Sequence, residues 1–488
     1  MPQVQEVAPP TPVQRPAARP ADARRGRWAL LITMAATFMA IMDSFIVNVA
    51  VPSIRTELAA SFTEVELAIS GYVLVYGLLL VTGGRLGDLF GFRRLFLVGI
   101  AIFTVASLAA GLAWDPASLI AFRVLQAVGA AFFYPQVLSV LQTTFTGAAK
   151  AKAFAVFGAT IGLASIAGQV VGGLLISLNP LGLSWRWVFL VNIPIGVLTL
   201  IGALRVLSAS RQGHGSGSGL DLPGVGLLSA ALLLLTAPLV QGQQFGWTAT
   251  TWAMLIAALP AFAGFIAWER RVAARGGNPL VNMALFRRAS FSGGIAVAVA
   301  FFAGNAGLFF VLTLALQSGL LLSPLAAGLA FAPLAITFAA ASLIGPRLTA
   351  RIGNHTLTTG YAINLIGTAA LLMTVWSAGD QVAAWDLVPS LAAIGFGQGL
   401  GVSPLVGAVL GKVPEREAGS ASGVLETAGQ VGMALGVSVL GLVYFTALGG
   451  HEATPADHLG AFTTALTANL ALAAAALLLL PLMFRKTN

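Results

Sequence analysis

Three side chains carry full charges inside otherwise apolar runs: Asp43, Arg123 and Glu426. Asp43 lies near the middle of ATFMAIMDSFIVNVAVP, residues 36–52. A charge at the centre of a spanning helix costs about 2.5–3.5 kcal/mol on insertion scales, so each of the three needs a reason to be there. Apolar surroundings destabilise an ionised carboxylate, and such a group can take a proton in one conformation and lose it in another. That is the chemistry of proton coupling, with Asp43 the first candidate and Glu426 the second. Arg123 and Gln126 stand three apart in LIAFRVLQAVGAAFFYP, residues 119–135, which puts them on one helical face. A buried guanidinium must find acceptors or a carboxylate. Structural alternatives stay open: either acid can simply pair with Arg123 or bond to polar neighbours, and Arg123 can snorkel to the interface near Trp114.

Composition says what must hold these groups. The chain is 57% hydrophobic and 9% charged, against about a quarter charged in soluble domains. Apolar runs of about 20 residues, the length that crosses the hydrocarbon core, recur from end to end. Fourteen are counted between residues 28 and 484, which makes an all-α integral membrane protein. The absence of Cys excludes disulfides and thiolate metal sites. His214, His355, His451 and His458 all fall in predicted loops, so no intramembrane metal or haem is expected, and no cofactor beyond protons. The nine Trp sit near predicted span ends, where their rings anchor to headgroups.

Lys and Arg collect in alternate loops, while the opposite side receives only Arg55 and Arg186 among acids. The positive-inside rule then puts both termini in the cytoplasm. The excess positive charge is explained by a membrane surface, with no nucleic-acid partner. The Pro-, Ala- and Arg-rich residues 1–27 read as a disordered tail.

GRLGDLFGFRR, residues 84–94, follows the second span, and PRLTARIGNH, residues 346–355, follows the tenth. Superposing Gly91 on Gly353 also carries the start of span one onto the start of span nine, a duplication typical of transporters. The expected organisation is a six-helix bundle (28–208), a cytoplasmic linker (209–221), two extra helices (222–270) and a cytoplasmic loop (271–289). A second six-helix bundle (290–484) and a short tail (485–488) follow.

In the first loop the glycines suit tight turns, Asp88 can cap or pair with a neighbouring helix end, and Arg93 and Arg94 hold the cytoplasmic side. The loop resembles the signature loop of the major facilitator superfamily, which implies a latch made by Gly84, Asp88, Gly91, Arg93 and Arg94. The second copy has Ala350 in place of Asp88, so a latch there would be weaker. Arg123 and Gln126 are similar to that family's fourth-helix motif, with Ala127 where Gly is usual. GATIGLASIAGQVVGGLL, residues 158–175, places Gly158, Gly162, Gly168, Gly172 and Gly173 for close helix packing. It resembles the fifth-helix motif of exporters, except that Gln169 replaces the Pro and removes its kink. WRWVFLVNIPIG (185–196), LDLPGVGLL (220–228), PLVNMALFRRASF (279–291) and ASGVLETAGQVGMALGVSVLG (421–441) look like the fourteen-helix drug:proton antiporter family.

That resemblance implies a proton-driven exporter of amphipathic or lipophilic drugs in the bacterial cytoplasmic membrane, working by alternating access as a monomer. It assigns proton coupling to Asp43. A midplane cavity between the halves is expected for the fold, with Asn48, Gln126, Tyr134, Gln169, Asn305, Phe309, Gln398 and Gln430 as candidate lining. A proton-coupled nutrient symporter shares the same fold and carboxylates and is the nearest rival. A membrane enzyme would need a concentrated interfacial site, and the acids outside the membrane are scattered. GSGSG, residues 215–219, lacks the strand and Lys of a phosphate loop.

Overall fold

A computed structural model of the chain describes residues 20–207, 220–245, 247–353, 355–411, 413–449 and 454–484. Among the described residues there is no strand. The first half comprises α1 (Pro20–Glu57), α2 (Phe62–Phe90), α3 (Phe92–Gly111), α4 (Pro116–Thr144), α5 (Gly147–Leu178), α6 (Trp187–Leu190) and α7 (Asn192–Val206). A pair follows, α8 (Leu222–Phe245) and α9 (Ala249–Ala274). The second half comprises α10 (Ala289–Leu314), α11 (Pro324–Ala330), α12 (Ala332–Ile352), α13 (His355–Ala378), α14 (Val388–Leu410), α15 (Ala418–Leu448) and α16 (Pro455–Met483). Fourteen stretches among the described residues are long and apolar enough to cross a bilayer. The helices α6 and α7 share one span, and α11 and α12 another.

The duplication is visible as repeated packing. In the first half α1 packs on α5 and α7, and α4 on α2 and α3; in the second, α10 packs on α15 and α16, and α14 on α12 and α13. The two halves meet along two seams, α2 against α15 and α5 against α12. The extra helix α8 touches both α2 and α15, so the inserted pair covers the first seam only.

Several expectations need correction. The first helix begins at Pro20, so residues 20–27 of the supposed disordered tail are helical; residues 1–19 and 485–488, and 208–219 of the linker, lie outside the described residues. Trp185 is fully buried rather than at the headgroups, packed edge-on to Phe189 with the Arg186 guanidinium over its ring. The short turns of WRWVFL fold that indole inward, whereas Trp114, Trp376 and Trp385 are exposed. His355 opens α13 and His458 lies within α16, bonded through Nδ1 to the Tyr444 hydroxyl at 2.8 Å; His214 and His451 are outside the described residues. At the arginine-poor face, Ser61/Glu64 and Asp115/Ser118 form capping boxes. Ser61 holds the Glu64 carboxyl below its usual range through its hydroxyl and then its backbone N–H; Ser118 does the same for Asp115, its backbone bond first.

The small residues of α5 serve two surfaces. Gly158 and Gly162 abut Ser342, Ser403 and Phe338 in the second half, while Gly168 and Gly172 abut α1 at Met42, Phe45 and Ile46. A Cβ at Gly168 would lie 2.8 Å from Phe45 Cβ and 2.9 Å from the Met42 carbonyl, and backbone cannot rotate aside. Gly168→Val is therefore expected to lower stability by about 1–3 kcal/mol, the usual effect of overpacking. Thermal unfolding in detergent, followed by intrinsic fluorescence, measures it; an unchanged midpoint would contradict the packing argument.

Candidate functional site

Asp43, on α1, is fully buried, and its surroundings are polar rather than apolar: it pairs with Arg123 and bonds to amides, the alternative left open above. Its Oδ2 accepts from Arg123 Nη1 at 2.7 Å. Its Oδ1 accepts from Gln126 Nε2 at 2.8 Å and from Asn192 Nδ2 at 2.7 Å. Arg123 also donates from Nη1 to Gln126 Oε1 at 2.7 Å and from Nε to the Ala68 carbonyl at 3.3 Å. The Tyr72 ring lies 4.1 Å below the guanidinium carbon. Gln126 Nε2 reaches Ser107 Oγ at 2.8 Å. Arg123 is buried beside Asp43 rather than snorkelling. The network draws on α1, α2, α3, α4 and α7, so five helices meet at one anion and one cation.

The duplication gives this site a counterpart. The shift that carries Gly91 onto Gly353 carries Asp43 onto Asn305. Asn305, on α10, accepts at Oδ1 from Gln398 Nε2 of α14 at 2.6 Å. The second half thus keeps a cross-helix polar bond but without charge.

Glu426 sits half-buried on α15, within electrostatic reach of Tyr76 and Tyr134. Among the described residues nothing hydrogen-bonds to it, so it is the acid in apolar company that Asp43 is not. Tyr134 is buried, edge-on to Tyr76 with ring centroids 6.1 Å apart. Phe309 stacks on Phe331 at 5.0 Å. Gln430 abuts Gly77 and borders a small apolar cavity between α2, α8 and α15. The side chains of Asn48 and Gln169 fall outside the description.

Residues 84–94, expected as a loop, are helical in α2 and α3 except at Gly91, since the helix needs only one residue to turn; they close the arginine-rich face. Asp88 accepts the backbone N–H groups of Gly419 and Ser420, each at 2.8 Å, at the first turn of α15, where the helix dipole favours an anion. Gly84 touches Gly419 backbone to backbone. Gly91 turns between α2 and α3 at φ 92, a conformation that suits glycine alone. Arg93 donates to the Leu204 carbonyl at 2.9 Å, near the end of α7, and Arg94 is exposed. Nearby, Gln142 Nε2 donates to the Leu410 and Val413 carbonyls at 2.7 and 3.2 Å. The Gly173 carbonyl accepts a bond from Ser177 Oγ at 2.7 Å.

Sequence reasoning missed Ser107, Tyr72 and Asn192. Asn192 stood inside WRWVFLVNIPIG as its one uncharged amide, well past the span-end Arg186 and set among apolar residues; the cost of burying it unbonded was the available signal. Glu269 was also missed. It is fully buried at the arginine-rich end of α9, a buried charge at a predicted span end, beyond the three set inside apolar runs.

The class follows from this fold of two like halves with a buried ion pair in one. The Major Facilitator Superfamily matches residues 33–437, and the chain belongs to it: a multi-pass transporter of the bacterial cytoplasmic membrane. It is 36% identical to the probable actinorhodin transporter of Streptomyces coelicolor, over 88% of this chain and 75% of that one. With the tetracenomycin C resistance and export protein of Streptomyces glaucescens it shares 34% identity, over 88% and 78%. With the cephamycin export protein CmcT of Amycolatopsis lactamdurans it shares 33%, over 88% of each. The solved structure of the human organic anion transporter MFSD10 (TETRAN) superposes with a TM-score of 0.65 over 95% of this chain and all of that one, at 15% identity, a likeness of fold.

Proposed function

We propose that the chain is a proton-driven exporter of amphipathic, antibiotic-like compounds, exchanging cargo for protons by alternating access. The observation that carries this reading is the Asp43–Arg123 pair at 2.7 Å with its partners on five helices. A proton on Asp43 cancels the charge that Arg123, Gln126 and Asn192 converge on. All of those contacts weaken together, so a chemical event becomes a change of shape. With the Asp88 latch closed, protons would reach Asp43 from the arginine-poor side, which the reading makes the outside. Opening the latch would then expose the site to cargo within. The names of the relatives support the cargo class, and the asymmetry between Asp43 and Asn305 supports a single coupling half.

Purified protein in liposomes tests it. An imposed pH gradient should drive uphill movement of an antibiotic or lipophilic dye, and collapsing the gradient should stop it. Cargo movement indifferent to the gradient would overturn the reading.

Glu426 is given a different task. Half-buried and without a hydrogen-bond partner, it suits the charge of a cationic cargo. A charged hydrogen bond contributes about 1.5–3 kcal/mol, so Glu426→Gln should weaken cation transport about tenfold or more and leave neutral cargo nearly unchanged. Paired transport assays read the ratio; equal losses for both classes would remove the selective role.

A further inference from the structure

Two of the motifs quoted above, LDLPGVGLL and PLVNMALFRRASF, have no part in the cycle just described, and they meet at Glu269. The Oε2 of this fully buried acid accepts the Val281 backbone N–H at 2.8 Å, while Oε1 is buried with no hydrogen-bond partner. Asp221, just before α8, faces that unpartnered oxygen. A methyl group at Gly224 would lie 2.5 Å from Glu269 Oε1 and 2.6 Å from Asp221 Oδ2. Asp221 is fixed by the Gly224 N–H at 3.0 Å and by the Trp268 indole N–H, 3.0 and 3.1 Å from its two oxygens. Among the described residues no cation pairs with either acid. Two carboxylates confined together repel when both are ionised, and one proton turns the repulsion into an O–H···O bond.

We propose that Glu269 and Asp221 bind one shared proton and that this proton keeps the arginine-rich face closed. A chain of contacts links the pair to the latch. Beside Val281, Asn282 donates from Nδ2 to Glu417 Oε1 at 3.0 Å. Glu417 directly precedes α15, and its carbonyl accepts from Ser420 Oγ at 3.2 Å. The next N–H groups, of Gly419 and Ser420, are those held by Asp88. Losing the shared proton sets two anions against each other, and Glu269, pushed away from Asp221, carries the Val281 N–H that it holds with it and draws Asn282 away from Glu417. The latch then loses its support on the α15 side. Asp221 is the ionisable group facing Glu269 from α8, and the 280–282 segment offers it a backbone N–H. Arg270 and Arg271, on α9 itself, are exposed. Glu417, and Asp88 with Arg85 near it, are the other ionisable groups along this route. If the arginine-rich face is cytoplasmic, as the proposed function has it, the pair is a brake: an acidified cytoplasm keeps the exporter shut and halts proton entry.

The chain has no Cys, so spin labels can be placed without background. Labels at Phe90→Cys, ending α2, and Phe484→Cys, after α16, report the separation of the halves by pulsed electron resonance. The Asp43→Asn, Glu426→Gln background silences the transport acids. From about pH 5 to about pH 9, this parent should shift from a short to a longer distance. Glu269→Gln supplies an N–H donor towards Asp221 at every pH, and Asp221→Asn supplies one towards Glu269; each should hold the short distance throughout. A parent distance that ignores pH would overturn the proposal. So would variants that follow the parent, the result expected if Asp88 or Glu417 were the responding group. No cargo or gradient is involved, so failure of proton-driven export would leave this result untouched.

Discussion

Asp43→Asn is expected to leave the protein folded and inserted while reducing proton-driven accumulation of cargo about 100-fold or more, the scale lost when an obligatory proton carrier is removed. The local geometry explains why folding survives. Arg123 keeps Gln126 Oε1, the Ala68 carbonyl and the Tyr72 face. The new amide oxygen can still accept from Arg123, but its N–H₂ would meet donors from both Gln126 and Asn192. A flip of the Asn192 amide relieves one conflict, because its Oδ1 is buried without a partner and can then accept; Gln126 Nε2 loses this acceptor but keeps Ser107 Oγ. Exchange of labelled for unlabelled cargo needs no net proton movement and should persist in the variant. Liposomes with a pH gradient measure the first property and counterflow the second. Uphill accumulation at the unsubstituted rate would remove Asp43 from the mechanism.

The sequence carries the lengths and the costs of this fold better than its partnerships. Span number follows from apolar runs matched to bilayer thickness, and the three charges set inside those runs stand out because lipid makes them expensive. Helical spacing placed Arg123 and Gln126 on one face, as the structure has them. What spacing could not supply was the third member, Asp43, 80 residues before Arg123, because that contact depends on how α1 packs against α4. The same limit hid Asn192, which joins from α7, 149 residues after Asp43. Glu269 was lost for another reason: it falls at a predicted span end, where a charge usually meets water, and only the fold shows α8 and the 280–282 segment covering it. Trp185 reverses the same rule, since a Trp near a span end normally faces headgroups, yet this one is fully buried. The uncharged counterpart of Asp43 was present in the numbering, as Asn305, and both it and Gln398 stood among the candidate cavity residues, but only the fold shows them bonded to each other at 2.6 Å.

The sharpest test of the ion pair is energetic, and it separates structure from transport. Arg123→Met removes the cation and leaves the Asp43 carboxylate buried with two amides, which is expected to destabilise the protein by about 3–5 kcal/mol. Met fills much of the same volume, so the loss reports charge rather than a cavity. Adding Asp43→Asn to Arg123→Met removes the stranded charge, and the double variant should recover most of that stability. Transport should stay lost in both, since neither retains a proton-binding group tied to a cation. If each substitution instead adds its own loss, the two residues are not coupled across 2.7 Å in the way a shared charge requires. Unfolding midpoints of the unsubstituted protein, the two single variants and the double variant close this cycle. A recovered fold with dead transport would show that burying Asp43 and Arg123 serves the cycle and that the fold can do without it.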